Sequence, residues 1–190
     1  APAALFDACL AARVKRVIQI SAISADAEAG SDYALSKKRA DDHLQGLDLD
    51  WIVLRPSLIY GEGAYCGTAI IRALAAFPLM TDLAKTVLEC LTRPNLARRV
   101  LEPVGPQVET LKSIVTQYRA WLGRPPVPAL QIPLSLMRLV CRLGDVLGRG
   151  PISSNALVQM EYGNAGRETG FAETLGFQPA SLAERLQRLL

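Results

Sequence analysis

The chain has 190 residues, half of them hydrophobic, enough to bury a core in one domain with a small lobe attached, which excludes disorder for the bulk of it. Its net charge of +3, from 21 basic against 18 acidic residues with no long single-sign block, is too mild to point to nucleic acid. Cys9, Cys66, Cys90 and Cys141 form no C-x-x-C pair and His43 is the single histidine, so metal-ligand spacing is absent and the cysteines read as buried thiols of a reducing compartment.

In chain order, "APAALFDACLAARV" places Leu5, Cys9, Leu10 and Val14 at helical spacing and predicts a helix. "VIQIS" reads as a buried strand. "YALSKKRADDHLQGL" is a polar helix capped by Ser31 or Asp32 and ended by Gly46. "DLDWIVLRP" is a second buried strand, a continuous apolar run closed by Pro56. "AYCGTAIIRALAAF" predicts a helix stopped at Pro78, and "TDLAKTVLECL" another with Thr81 or Asp82 as its cap. "RRVLEPVG" predicts a short strand, and "ETLKSIVTQYRAWLG" a helix ended by Gly123. Past the joint "GRPPVP", "IPLSLMRLVCRLGDVLG" is a mostly apolar helix carrying Arg138, Arg142 and Asp145. "SLAERLQRLL" is amphipathic, with Leu182, Leu186 and Leu189 on one side. Alternating helix and buried strand is the rhythm of an α/β, doubly wound parallel sheet, whose ligand crevice lies just after each strand, here residues 21–24 and 56–63. No apolar run reaches the length of a bilayer span and Ala1 opens no signal peptide, so the expectation is a soluble, cytoplasmic protein.

Tyr33 and Lys37 stand four apart and share one helix face. The spacing alone carries little; its setting between "RVIQISAIS" and "WIVLRPSLIYGEG" carries more. That ordered set, with "YALSKKRADDHL" between, resembles the short-chain dehydrogenase/reductase superfamily, in its atypical and extended branch of epimerase/dehydratase-like and NmrA-like members, over roughly residues 5–65. The resemblance implies a Rossmann-like fold with a small, mostly helical C-terminal substrate lobe. Residues 1–80 would be the C-terminal half of an NAD(P)-binding domain, and 81–190 the remaining strand and the lobe. It implies NAD or NADP as cofactor. The superfamily's Gly-rich phosphate turn has no counterpart here, since Gly144, Gly148 and Gly150 end an apolar helix and follow no strand. The first half of the domain is therefore expected to precede Ala1, and a second segment to be missing between Met80 and Thr81, where the family has a further strand and loop.

Chemically, an alkoxide formed from a carbonyl needs a proton, and the reverse reaction needs a base. Tyr33 suits both, provided a fixed cation brings its phenolate within reach, and Lys37 is placed for that. The resemblance adds a bond from Lys37 to the nicotinamide ribose. Ser21, at the first strand's end, is the candidate hydroxyl to polarise a substrate carbonyl, with Ser24 second; extended members often carry Ser or Thr where this chain has Ala22 and Ile23. Pro56, Ser57 and Leu58 match the segment that passes beside the nicotinamide in the family. Arg55 reads as a tie at the strand end, Tyr60 and Gly61 as turn residues, His43 as a surface histidine, and Asp41 and Asp42 as solvated helix charges. The helix in residues 132–148 reads as a packing helix with a basic outer stripe; a lid, a homodimer or partner docking face, or a membrane-surface helix are its alternatives. The whole predicts an NAD(P)-dependent oxidoreductase or epimerase/dehydratase-like enzyme acting on a small carbonyl or alcohol substrate. The alternative is a non-catalytic NAD(P)-binding redox sensor or accessory subunit.

Overall fold

A computed structural model describes residues 2–26, 28, 30–57, 81–128, 131–148, 152–163, 165–166 and 170–187. The expected helix in "AYCGTAIIRALAAF", the break at Met80, and Leu58, Tyr60, Gly61 and Leu189 lie outside them. The chain forms two compact units, one of residues 1–58, 81–104 and 162–178, the other of 59–80, 105–161 and 179–190.

The first unit is built on three parallel strands in the order β1 (Val17–Ile20), β2 (Trp51–Leu54), β3 (Arg99–Leu101). Val17 sits opposite Trp51 and Ile20 opposite Leu54, while Leu54 faces Leu101. β2 is buried at all four residues, as its unbroken apolar run demands of a central parallel strand. β1 corrects its expectation. It is only half-buried, and Ile20 is exposed, because among the described residues it pairs with β2 alone.

Trp51 and Val53 alternate onto one face of the sheet. There they meet Phe6 of α1 (Pro2–Ala11) and Ala40 and Leu44 of α2 (Asp32–Gln45), with Leu49 closing the cluster. The predicted helix forms, and it is seated through Phe6. Phe6 is its buried residue, with Cys9 half-buried three places on, whereas Leu5, Leu10 and Val14 of the same segment are exposed. Arg16 fastens β1's approach: its Nε donates to Asp50 Oδ2 at 2.8 Å, while Nη1 and Nη2 donate to the carbonyls of Cys90, Arg93 and Pro94. Helix α3 (Thr81–Thr92) buries Leu83, Thr86 and Cys90, one stripe at i, i+3 and i+7.

The second unit contains α4 (Leu111–Trp121), α5 (Leu134–Val146), α6 (Ser154–Tyr162, whose last residue falls in the first unit) and α8 (Leu182–Gln187). Thr110 caps α4 by accepting from Ser113 N at 3.1 Å. A capping box opens α8: Ser181 Oγ accepts from Glu184 N, and Glu184 Oε2 accepts from Ser181 N at 2.8 Å. These two helices bury Ile114, Tyr118 and Leu186 together. On α5 the seated side is Met137, Cys141 and Gly144, and Leu136, Leu139, Leu143 and Val146 are exposed beside Arg138 and Arg142. One short helix of the first unit was not foreseen, α7 (Phe171–Leu175). It lies between two left-handed glycines, Gly170 and Gly176, and its last carbonyls accept from Arg93.

Candidate functional site

Helix α2 carries the predicted pair, and its start is fixed by Ser31, whose hydroxyl accepts from Ala34 N at 3.1 Å. Asp32 in the first turn adds a favourable charge at the positive end of the helix. Tyr33 is 45% exposed. One turn on, Lys37 Nζ donates to the carbonyl of Ile20, the last residue of β1, at 3.3 Å, and lies 5.9 Å from the centroid of the Tyr33 ring. The pair therefore stands at the C-terminal end of a parallel strand, where an open α/β sheet binds its ligands. Partial burial pushes the Tyr33 phenol above its ordinary value.

Ser21, the residue after β1, is buried and donates its backbone N–H to Leu54 O at 2.7 Å. Its Oγ donates to Asp41 Oδ2 at 2.9 Å. The same carboxylate oxygen accepts from Arg55 Nε, also at 2.9 Å. Asp41 is wholly buried, which corrects the expectation of a solvated charge; its neighbour Asp42 is the solvated one, paired with Lys38 on the helix surface. Burial pushes the Asp41 carboxyl up, against the bonds from Ser21 and Arg55 and the positive charges of Arg55 and Lys37. Arg55 does tie the strand end, as expected. A signal for Asp41 existed in the sequence, since Tyr33, Lys37 and Asp41 follow one another at i, i+4 and i+8 along one stripe that runs from solvent into the interior.

The loops after β1 and β2 are joined by a bond from Ile23 N to Pro56 O at 3.0 Å, and Arg55 N donates to Leu101 O at 2.8 Å. Pro56 is buried and Ser57 half-buried, and Ser24 is buried in the neighbouring loop. Ser21, Asp41 and Arg55 thus form one cluster, with Lys37 and Tyr33 following on the same helix. Ser21 Oγ and Tyr33 Oη are not hydrogen-bonded to each other. His43 faces outward and meets Asp7 at 2.7 Å. No group of three or more metal-ligating side chains occurs among the described residues, and no described helix is long and apolar enough to cross a membrane.

Residues 2–94, which hold this cluster, match the family described as NAD(P)H-binding. Over this stretch the chain is similar to that family. The fold agrees with that of solved Rossmann-type enzymes. The chain is similar to a nucleoside-diphosphate-sugar epimerase from Staphylococcus aureus, at 14% identity and a TM-score of 0.69, over 96% of this chain and 68% of that one. It is similar to UDP-glucuronic acid 4-epimerase from Bacillus cereus, solved with UDP-glucuronic acid and NAD, at 14% identity and a TM-score of 0.63, over 98% of this chain and 63% of that one. A third likeness is to the enzyme WbmG of Bordetella bronchiseptica with NAD and UDP, at 12% identity and a TM-score of 0.66, over 98% of this chain and 62% of that one. No curated protein sequence matches. The resemblance drawn from the Tyr/Lys helix and its flanking strands thus holds for the α/β, Rossmann-like fold, and residues 2–94 carry the likeness to the NAD(P)H-binding family.

Proposed function

We propose that this chain is part of an NAD(P)-dependent oxidoreductase or epimerase/dehydratase-like enzyme that acts on a carbonyl or alcohol, with Tyr33 as acid/base. The observation that carries this reading is the seat of Lys37. Its ammonium is held by the last carbonyl of β1, below a half-exposed tyrosine on the same helix face. An ammonium has three protons to donate. Among the described residues its one bond is to Ile20 O, which leaves two protons for ribose hydroxyls, so the residues present fit a nicotinamide nucleotide. Bound there, NAD(P) supplies hydride transfer. Tyr33 gives a proton to a developing alkoxide or takes one from an alcohol, and the Lys37 charge favours the phenolate against the burial that opposes it. Ser21, Pro56 and Ser57, at the ends of β1 and β2, would hold the nicotinamide end. The nucleotide-bearing ligands of the similar structures make nucleoside-diphosphate sugars the first substrates to try.

Turnover by the full-length protein, measured with NAD(H) and NADP(H) against simple carbonyls, alcohols and UDP-sugars, tests the reading. Tyr33→Phe should lower kcat by about 10²–10⁴-fold, the usual scale of a lost acid/base, and leave the cofactor Kd within about twofold. Parental turnover in that variant would remove Tyr33 from the chemistry.

A second reading has its own support. The Ser21 proton is directed to Asp41, Ala22 and Ile23 offer no hydroxyl in its place, and the Tyr33 phenol is raised rather than lowered. Those features suit an NAD(P)-binding redox sensor or accessory subunit. Cofactor binding without turnover on any member of the panel decides for it.

A further inference from the structure

We infer that Asp41 is the positioning residue of the cofactor site: its single oxygen Oδ2 fixes the Ser21 hydroxyl and the Arg55 guanidinium at once, and so sets the strand ends against the helix that carries Tyr33 and Lys37. The inference rests on the reading that the bound nucleotide lies along those strand ends. From Asp41 both exits are held. Ser21 begins the chain after β1, Arg55 begins it after β2, and both reach the same buried atom at 2.9 Å. Asp41 belongs to α2 eight residues after Tyr33 and four after Lys37, so the exits are referenced to the helix itself.

The polarity of the cluster follows from the same geometry. Oδ2 takes the Arg55 N–H and therefore acts as an acceptor toward Ser21 as well. The second oxygen, Oδ1, is buried and has no hydrogen-bond partner among the described residues. A proton taken up by the carboxyl would rest on Oδ1 and leave Oδ2 an acceptor. In either state the Ser21 hydroxyl hydrogen points at Asp41, and what Ser21 offers elsewhere is lone pairs. Ser21 is thereby held as an acceptor for a hydroxyl or amide N–H of the bound ligand, not as a donor to a substrate carbonyl. A carboxylate kept for packing alone would be better replaced by an apolar side chain, since burying an ion pair gains little over a hydrophobic residue of similar volume.

The test is fluorescence titration of the full-length protein with NADH and NADPH, with circular dichroism to confirm the fold. Asp41→Ala should weaken the better cofactor at least tenfold, Asp41→Asn, which keeps the acceptor oxygen, should stay within about threefold of the parent, and the surface neighbour Asp42→Ala should match the parent. Ser21→Ala, which leaves the Asp41–Arg55 pair intact, should weaken binding about fivefold, and it decides the matter where Asp41→Ala fails to fold. Parental affinity in a folded Asp41→Ala, or in Ser21→Ala, overturns the role assigned here. Lys37→Ala separates the two readings. If it loses affinity while Asp41→Ala keeps it, only the role of Asp41 falls; parental affinity in both variants removes the placement of the nucleotide along with it.

Discussion

Helices α2 and α5 are of similar length, 14 and 13 residues, and are held in opposite ways. α2 is tied at both ends and in the middle: Ser31 caps it, Leu44 and Ala40 sink into the cluster around Trp51, and Asp41 and Lys37 reach the exits of two strands. α5 rests on Met137, Cys141 and the bare backbone of Gly144, and turns its leucines outward. A helix that must hold an acid/base and a cation in register with a strand needs several independent ties, and α2 has them. The large apolar face of α5 positions nothing within the described residues.

Substitutions on the two helices break that contrast with graded force. The largest effect is expected from Leu44→Ala, which empties a fully buried site between α2 and β2; chemical denaturation should show a loss of about 2–5 kcal/mol. Gly144→Ala comes next. A Cβ there would stand 1.9 Å from the carbonyl oxygen of Ile152, so α5 must lift off its seat, at a cost of about 1–3 kcal/mol in the same measurement. Ser31→Ala removes the cap of α2 and should cost about 0.5–2 kcal/mol, with hydrogen exchange rising first at the amides of the first turn. Smallest is Leu139→Gln on the exposed side of α5, which should leave stability within about 0.5 kcal/mol of the parent. A loss there comparable to that of Leu44→Ala would mean that α5 is held by its leucines, and the contrast would collapse.

Much of this architecture was legible where local chemistry decides it. The cap at Ser31, the end at Gly46, the continuous apolar β2 and the parallel rhythm all follow from residue types at short range, and the positions of Tyr33 and Lys37 follow from them. What escaped depends on partners distant in sequence. Asp41 and Asp42 are chemically alike and adjacent, and only the arrival of Ser21 and Arg55 from two strand ends makes one of them interior. Phe6 is the buried residue of α1 because Trp51, Leu44 and Leu49 pack around it. Helix α7 is five residues long, too short for a hydrophobic period, although its flanking glycines marked its ends.

Arg16 ties the first strand to a part of the chain that is made much later. Its bonds to the carbonyls of Cys90, Arg93 and Pro94 span 74, 77 and 78 residues. At the usual elongation rates of about 5–20 residues per second, the guanidinium waits roughly 4–15 s after its own synthesis for those acceptors to be made. Through that interval Asp50 is the nearest partner available to it in sequence, 34 residues on. The parallel β1–β2 pair, joined through α2, thus comes before the acceptors that complete the Arg16 site, and such long-range closure is what slows folding in parallel sheets.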